Sequence, residues 1–122
     1  MINHYLNQFE ITLKNSKIVL SYHVNKRIIN DFLLILEGNL KTSVGILDFL
    51  EVIRYDGVKI IKKKYKYNFR DYHSELIFRY DNAPHHKQIK TFPHHLHLDS
   101  QIFDSSEPTI QEILQKIQEN NL

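Results

Sequence analysis

The sequence contains no cysteine, and only three glycines and three prolines occur among its 122 residues. Without cysteine the chain can form no disulfide, thiolate metal site or cysteine nucleophile. The scarcity of glycine and proline, beside 42% hydrophobic residues, indicates a globular chain rather than a fibrous or disordered one. We therefore expect a single domain over residues 1–122, since this length leaves no room for a separate cofactor domain.

Long apolar runs are also missing. The longest one, Phe32–Leu36, has the length of a strand and not the roughly 20 residues of a membrane helix. Asn3, His4 and Glu10 interrupt the segment in which a secretory signal peptide would need a continuous apolar stretch. The sequence therefore predicts a cytoplasmic protein with no membrane partner.

No charge of one sign dominates the sequence, because the formal net charge is only +2 with neutral histidines. That excess is too small to indicate nucleic-acid binding by itself. The positions of the charges are more informative than their sum. The eight histidines could add positive charge below about pH 7, where an unperturbed imidazole becomes protonated.

The hydrophobic pattern predicts an α+β fold, an antiparallel meander sheet of about five strands with an N-terminal and a C-terminal helix. Apolar residues at helical spacing indicate the first helix, which ends near Asn15, and a second helix in the segment 105–122. Between them the apolar residues alternate with a period of two, which is typical of strands. The predicted strands are 17–29, 32–40, 44–55, 58–70 and 75–82.

Two turns predict the pairing of the central strands. If Asp56-Gly57 is a two-residue hairpin loop, Glu51 lies opposite Lys62. If 71–74 closes the next hairpin, Tyr67 lies opposite Phe78 and Lys64 opposite Asp81. One face then becomes an aromatic core formed by Tyr65, Tyr67, Phe69, Phe78 and Tyr80. The other face displays Glu51, Lys62, Lys64, Lys66, Arg79 and Asp81.

This polar face has two interpretations. Lysines that alternate along one strand can follow a phosphate backbone, and Arg79 can bind a phosphate through two hydrogen bonds. The same residues can instead form a solvated face whose lysines discourage edge pairing. Glu51 is either a cross-strand ion-pair partner of Lys62 or a carboxylate on the open face that acts as a base or orients a metal. Candidate RNA-binding residues are Lys62, Lys64, Lys66, Tyr67 and His95.

Histidine is concentrated in the segment FRYDNAPHHKQIKTFPHHLHL, where five of the eight lie in the thirteen residues from His85 to His97. Imidazoles can take and give a proton near neutral pH, as RNA cleavage by the ribose 2′-hydroxyl requires. They can also bind zinc, nickel or manganese, with His95 and His97 on one side of an extended segment and His85 or His86 plus Asp81 completing the site. A polar loop without chemistry is the third interpretation.

The runs IFRYDNAPHH and TFPHHLH resemble the TumE-type toxin family of prokaryotic toxin–antitoxin modules. The resemblance extends upstream through LDFLEVI and KYKYNFRD and covers roughly residues 40–120. Leu96 departs from the family pattern, in which a basic residue is commoner, and this difference would weaken substrate binding if that residue contacts phosphate. The matching motif positions are Glu51, Tyr67, Arg79, Asp81, Asn82, His85, His94, His95 and His97.

The resemblance implies a growth-inhibiting toxin that acts on RNA and is neutralised by a helix-turn-helix antitoxin encoded beside it. From the chemistry of the residues we expect a metal-independent endoribonuclease with no cofactor. In this hypothesis His94 or His97 is the base and His85 the acid. Arg79, Lys64 and Lys66 hold the phosphate, while Glu51 and Asp81 set the tautomer or charge of nearby imidazoles.

Two alternatives remain open from the residues. One is a metal-dependent nuclease with a divalent ion at His85, His95, His97 and Asp81. The other is a non-catalytic module that binds RNA or protein. The sequence is compatible with a homodimer in either case.

Overall fold

The computed structural model describes residues 1–119, which form a seven-stranded antiparallel sheet with a helix at each end of the chain. The strands are hydrogen-bonded in their sequence order, so the sheet is a meander. The elements are α1 (Ile2–Asn15), β1 (Ser21–Asn30), β2 (Leu33–Lys41), β3 (Gly45–Tyr55), β4 (Ile60–Asp71), β5 (Leu76–Asp81), β6 (His95–Leu98), β7 (Gln101–Asp104) and α2 (Ile110–Glu119).

Both predicted helices are confirmed, and each buries one apolar stripe. In α1 the buried residues follow one another at spacings of three or four, which places them on one side of a helix. In α2 Thr109 and Glu112 form a reciprocal capping box, because each side chain accepts a hydrogen bond from the other's backbone N–H at 3.1 Å. The prediction of helix at residues 120–122 lies outside the described residues. Neither helix is long and apolar enough to cross a membrane. The buried residues are Ile2, Leu6, Phe9, Leu13, Ile110, Ile113, Leu114 and Ile117.

The two helices cover one face of the sheet, which we call the helix-covered face. The ring of Phe9 in α1 packs on Phe49 of β3 with centroids 5.4 Å apart, and α1 also contacts α2. Strand residues alternate between the two faces. The core therefore consists of every second residue of the central strands, and the opposite, open face has no helix over it among the residues described. Fully buried strand residues include Leu34, Leu36, Leu40, Leu47, Ile53, Tyr65, Tyr67, Phe69 and Phe78.

The five predicted strands are present, but the count of about five is wrong because the end of the histidine segment and the residues just after it form two more. β6 pairs with β5, so that Tyr80 lies opposite Leu96. A two-residue turn, Asp99-Ser100, then joins β6 to β7. Both turn residues have positive φ, 51° and 61°, as the tight turns favoured in hairpins require. Because this turn contains no glycine, the hairpin has little signal in the sequence.

The predicted pairing of β3 with β4 is wrong for two reasons. The connection runs from Asp56 to Lys59, because the Asp56 side chain accepts hydrogen bonds from the backbone N–H groups of Val58 and Lys59, each at 2.8 Å. Tyr55 therefore pairs with Ile60. In addition, the register shifts by one residue at a bulge that leaves Lys63 unpaired in the ladder.

The bulge moves residues of β3 to the face opposite the predicted one. Beyond it Glu51 pairs with Tyr65, and Phe49 pairs with Tyr67, so Glu51 lies on the helix-covered face. Lys62, on the other side of the bulge, pairs with buried Ile53 and lies on the same face. The predicted placement of Glu51 and Lys62 on the open face is therefore wrong.

The predicted pairing of β4 with β5 is wrong by two residues, an even shift that preserves the faces. Tyr67 lies opposite Tyr80 and Phe69 opposite Phe78, while Lys66, not Lys64, lies opposite Asp81. The aromatic residues therefore do form part of the core. Lys64, Lys66, Arg79 and Asp81 lie together on the open face, as predicted.

The Asp56 turn generates a pH-dependent prediction. Hydrogen bonds from the backbone of Lys59 and Val58 lower the pKa of the Asp56 carboxyl below its usual value of 3.8. A lowered folded-state pKa means that the ionised carboxylate stabilises the fold above the unfolded pKa, and that this stabilisation is lost as pH falls through the folded one. We expect Asp56→Ala to lower the melting temperature at pH 7 and to have a smaller effect at pH 3.

Thermal unfolding followed by circular dichroism at both pH values measures this difference. Glu37→Ala, which removes an exposed carboxylate from the middle of β2, is the control. A melting-temperature decrease for Asp56→Ala that is as large at pH 3 as at pH 7 would contradict the capping role.

Candidate active site

Five polar side chains meet where β5, β6 and the loop 82–94 come together, and we call them the histidine cluster. Arg79 pairs with His97, and Asp81 pairs with His95, across β5 and β6. Antiparallel partners project to the same side of a sheet, so all four lie on the open face. His86, from the loop, completes the cluster.

Asp81 is the shared acceptor of this cluster, although only 8% of the residue is exposed. Its Oδ1 lies 2.8 Å from Nε2 of His95, and its Oδ2 accepts a hydrogen bond from Nε of Arg79 at 3.2 Å. Oδ1 also accepts the backbone N–H of Ala83, which ends the strand. Asp81 therefore fixes the positions of an arginine and a histidine while anchoring the start of the loop.

His95 is held at both ring nitrogens. Its Nδ1 lies 2.8 Å from the carbonyl oxygen of Pro93, and its Nε2 faces Asp81. The residue is 1% exposed. With both nitrogens bonded and the ring enclosed, the orientation of His95 is fixed, and its predicted contact with RNA is not available at the surface.

His97 lies between the guanidinium of Arg79 and the carboxylate of Asp81. Nη2 of Arg79 lies 3.3 Å from its Nε2. A guanidinium only donates hydrogen bonds, so this nitrogen offers its lone pair. Burial and the charge of Arg79 lower the pKa of His97, and the nearby carboxylate of Asp81 opposes this shift in part. The charges of His95 and His86 act in the same direction as Arg79. An imidazole in these surroundings favours the neutral form.

His86, not His85, reaches the cluster. The His86 ring centroid lies 5.3 Å from that of His95 and 5.9 Å from that of His97. His85 is exposed and contacts the His86 ring from 6.2 Å. His86 has φ of 57°, a left-handed conformation that turns its side chain away from the direction of its neighbour. The sequence hypothesis assigns the acid role to His85, whereas the ring that adjoins the cluster is that of His86.

His94 lies apart from the cluster. Its Nδ1 is 2.9 Å from the hydroxyl of Tyr65, and the two rings stack with centroids 5.8 Å apart. Tyr65 belongs to the helix-covered face. Consecutive residues at the start of a strand project to opposite sides, so His94 and His95 serve different faces. The structure therefore does not bring His94 together with Arg79.

Glu51 lies in a second group on the helix-covered face, which we call the buried polar cluster: Tyr5, Glu51, Lys62 and Tyr67. The carboxylate of Glu51, which is 0% exposed, accepts hydrogen bonds from the hydroxyls of Tyr5 and Tyr67. Nζ of Lys62 lies 3.6 Å from the Glu51 carboxylate and donates to the Pro108 carbonyl at 2.8 Å. The predicted ion pair of Glu51 with Lys62 is therefore present, but it is buried.

The buried polar cluster joins four parts of the fold: α1, β3, β4 and Pro108, which lies just before α2. Burial and the charge of Glu51 raise the pKa of the Tyr5 and Tyr67 hydroxyls, so both stay protonated as donors. Tyr67 is 0% exposed, which corrects its predicted place on an RNA-binding surface. Tyr5 was missed as a partner, although it follows Ile2 by three residues and thus shares its helix face.

The exposed lysines Lys64 and Lys66 are the part of the predicted basic stripe that the structure keeps on the open face. Lys66 is opposite Asp81 in the ladder, next to the histidine cluster. Lys64, two residues before Lys66, lies on the same side of the strand and roughly 7 Å from Lys66. Positive charge therefore extends from Arg79 across the open face.

Glu51→Ala tests the structural role of the buried polar cluster. Removing the carboxylate leaves Lys62 buried without its anion and two tyrosine hydroxyls without an acceptor. We expect a decrease of about 3–5 kcal/mol in the free energy of unfolding, as found when one partner of a buried ion pair is removed. Urea unfolding followed by circular dichroism measures this change.

The matched control is Asp48→Ala, also on β3. Asp48 forms an ion pair with Arg70 at 2.9 Å, with side-chain exposures of 42% and 34%. Because this ion pair is so exposed, we expect Asp48→Ala to lower the free energy of unfolding by only about 0–1 kcal/mol. Equal destabilisation of the two variants would contradict the role assigned to Glu51.

Comparison with known proteins gives a family match. The model of the family described as Toxin TumE matches residues 9–121, which includes both clusters apart from Tyr5. No curated protein and no solved structure matched the chain. The family match covers nearly the whole sequence and extends the predicted resemblance to α1 and the first strands. The chain belongs to the TumE toxin family.

Proposed function

We propose that this toxin is an endoribonuclease that cleaves RNA without a metal ion, using the histidine cluster. The observation that best supports the proposal is that the guanidinium of Arg79 lies 3.3 Å from Nε2 of His97. The enclosed carboxylate of Asp81 lies beside them, and lysines line the same face of the sheet. A cation that can hold a phosphate thus adjoins a nitrogen that can accept a proton, which are the two groups that 2′-hydroxyl attack requires.

The reaction would transfer two protons. His97 accepts the proton of the ribose 2′-hydroxyl while its oxygen forms a bond to phosphorus. The bond from phosphorus to the 5′-oxygen breaks, and the leaving oxygen takes a proton from His86 in its protonated form. The products are a 2′,3′-cyclic phosphate and a free 5′-hydroxyl. His86 takes the acid role in place of His85, because its ring is the one adjoining His97.

Arg79 would stabilise the charge that develops on the phosphoryl oxygens. The guanidinium has five N–H donors, and its contacts with Asp81 and His97 use only part of them. Its side chain is 33% exposed, so a phosphate can approach it from the open face. Asp81 and His95 act by positioning: they hold Arg79 and the strand pair in place without touching the reacting atoms.

Membership of the TumE family implies an antitoxin partner. We propose that this antitoxin is a helix-turn-helix protein and that the toxin acts on cytoplasmic RNA. Expression of the chain with and without the neighbouring reading frame tests this part, since growth arrest should be relieved only by co-expression of a small helix-turn-helix protein.

RNA cleavage by purified variants tests the mechanism. The substrates are total bacterial RNA and long single-stranded transcripts, and the assay is run in excess EDTA. We expect the wild type to produce 2′,3′-cyclic phosphate ends. His97→Ala should lower the cleavage rate by about 10²–10⁴-fold, the usual contribution of a general base.

His94→Ala is the matched control, because this adjacent histidine lies with Tyr65 on the other face. We expect it to change the rate by only a few fold once folding is verified by circular dichroism. Three results would count against the proposal: intact RNA in all reactions, full activity of His97→Ala, or activity that EDTA abolishes.

The lysines generate a separate prediction about binding. For single-stranded nucleic acid, the slope of log affinity against log salt decreases by about 0.7 for each phosphate that the protein no longer neutralises. We expect that decrease when Lys66→Ala is added to the inactive His97→Ala protein and binding to a single-stranded RNA is measured by fluorescence anisotropy. Lys14→Ala, an exposed lysine of α1, should leave the slope unchanged. Equal slopes for Lys66→Ala and Lys14→Ala would contradict an RNA path over the open face.

A further inference from the structure

Three rings of the histidine cluster form a near-equilateral triangle. The ring centroids of His95 and His97 are 4.8 Å apart, and His86 lies 5.3 Å from the first and 5.9 Å from the second. The ring planes cross at 73–74°. One nitrogen from each ring lies within 4.8 Å of the others. Tetrahedral zinc, with bonds of ~2.0 Å to imidazole nitrogen, places ring centroids roughly 5 Å apart.

We propose that His86, His95 and His97 bind one zinc ion, with Asp81 as the fourth ligand, and that the bound ion blocks RNA cleavage. The first half of this proposal is that these residues form a binding site for a transition metal. The second half rests on the proposed function, because it requires these imidazoles to be the groups that transfer protons.

Strand β6 sets most of this geometry without any bound ion. His95 and His97 are two residues apart on β6 and project to the same side. The bond between Nδ1 of His95 and the Pro93 carbonyl directs Nε2 towards the cluster. Metal-binding histidines generally have such a partner on the second nitrogen, which sets the tautomer and orients the ring.

Asp81 adjoins two of the three histidines. Its carboxylate oxygens lie 2.8 Å from Nε2 of His95 and 3.5 Å from Nε2 of His97. An ion would replace these two contacts with bonds to the same three side chains. Three imidazoles and one carboxylate are a set that suits zinc, whereas magnesium and calcium prefer ligands that are all oxygen.

Zinc binding and catalysis would exclude each other. A nitrogen that donates its lone pair to a metal cannot accept the 2′-hydroxyl proton, and a metal-bound His86 cannot deliver a proton to the 5′-oxygen. The charge of Arg79, next to His97, opposes the binding of a further cation. We therefore expect reversible binding that a chelator removes, not a permanent structural ion.

Zinc titration of the full chain without a histidine tag tests the site, with isothermal calorimetry as the readout. We expect one ion per chain, and His86→Ala should weaken binding by at least 10-fold, as the removal of a ligand or its support commonly does. His85→Ala is the matched control, since its exposed ring lies outside the triangle, and its affinity for zinc should match that of the wild type. In nuclear magnetic resonance spectra the ring signals of His86, His95 and His97 should shift together on zinc addition, while those of His23 and His73 stay in place.

The absence of stoichiometric binding, or equal weakening by His85→Ala and His86→Ala, would overturn the site. Cleavage assays with added zinc, and then with EDTA, test the second half. Inhibition that EDTA reverses supports it, and stimulation by zinc overturns it. Zinc binding to a protein that cuts no RNA would refute the proposed nuclease and leave the metal site standing. RNA cleavage by a protein that binds no zinc would refute only the metal site.

Discussion

The carboxylate of Asp81 holds the histidine cluster together. It is the common partner of Arg79, His95 and the backbone N–H of Ala83, and the ladder places it between Lys66 and His95. An enclosed carboxylate is stable only with charged or hydrogen-bonding partners around it. The need to satisfy Asp81 therefore draws a cation and an imidazole to one point. His97 lies 3.5 Å from the same carboxylate, and His86 packs against the rings of His95 and His97.

The sheet separates two polar systems that look alike in composition. Each contains a carboxylate, a cation and aromatic or imidazole rings, but one lies under the helices and the other faces outwards. The buried polar cluster has a 0% exposed carboxylate and joins α1 to the strands, so its chemistry serves stability. The histidine cluster keeps part of Arg79 and His97 exposed, with side-chain values of 33% and 18%, so its chemistry can serve a ligand.

The sequence was sufficient for the helices and the first five strands, because their apolar residues repeat with clear periods. The sequence also led us to expect Arg79 and Asp81 near the histidines, because the fifth predicted strand leads directly into the histidine segment. It did not predict the sixth strand, which pairs these residues with His95 and His97. The sequence was insufficient to predict the register of β3 with β4 and of β4 with β5. The Asp56 side chain lengthened one turn, and the bulge at Lys63 reversed a face, and neither effect has a periodic pattern. Glu51 and Lys62 were misplaced for that reason, and the choice between His85 and His86 depended on one left-handed residue.

The bulge at Lys63 also constrains how the gene for this toxin can vary in length. Inserting one codon into β3 opposite Lys63 would restore regular pairing, and Lys62 would then exchange sides relative to Tyr65 and Tyr67. An ammonium group would leave the interior, and the Glu51 carboxylate would remain there without its counter-ion. Insertions in this part of β3 should therefore be rare, whereas deletion of Lys63 itself would leave Lys62 on the side of Tyr65.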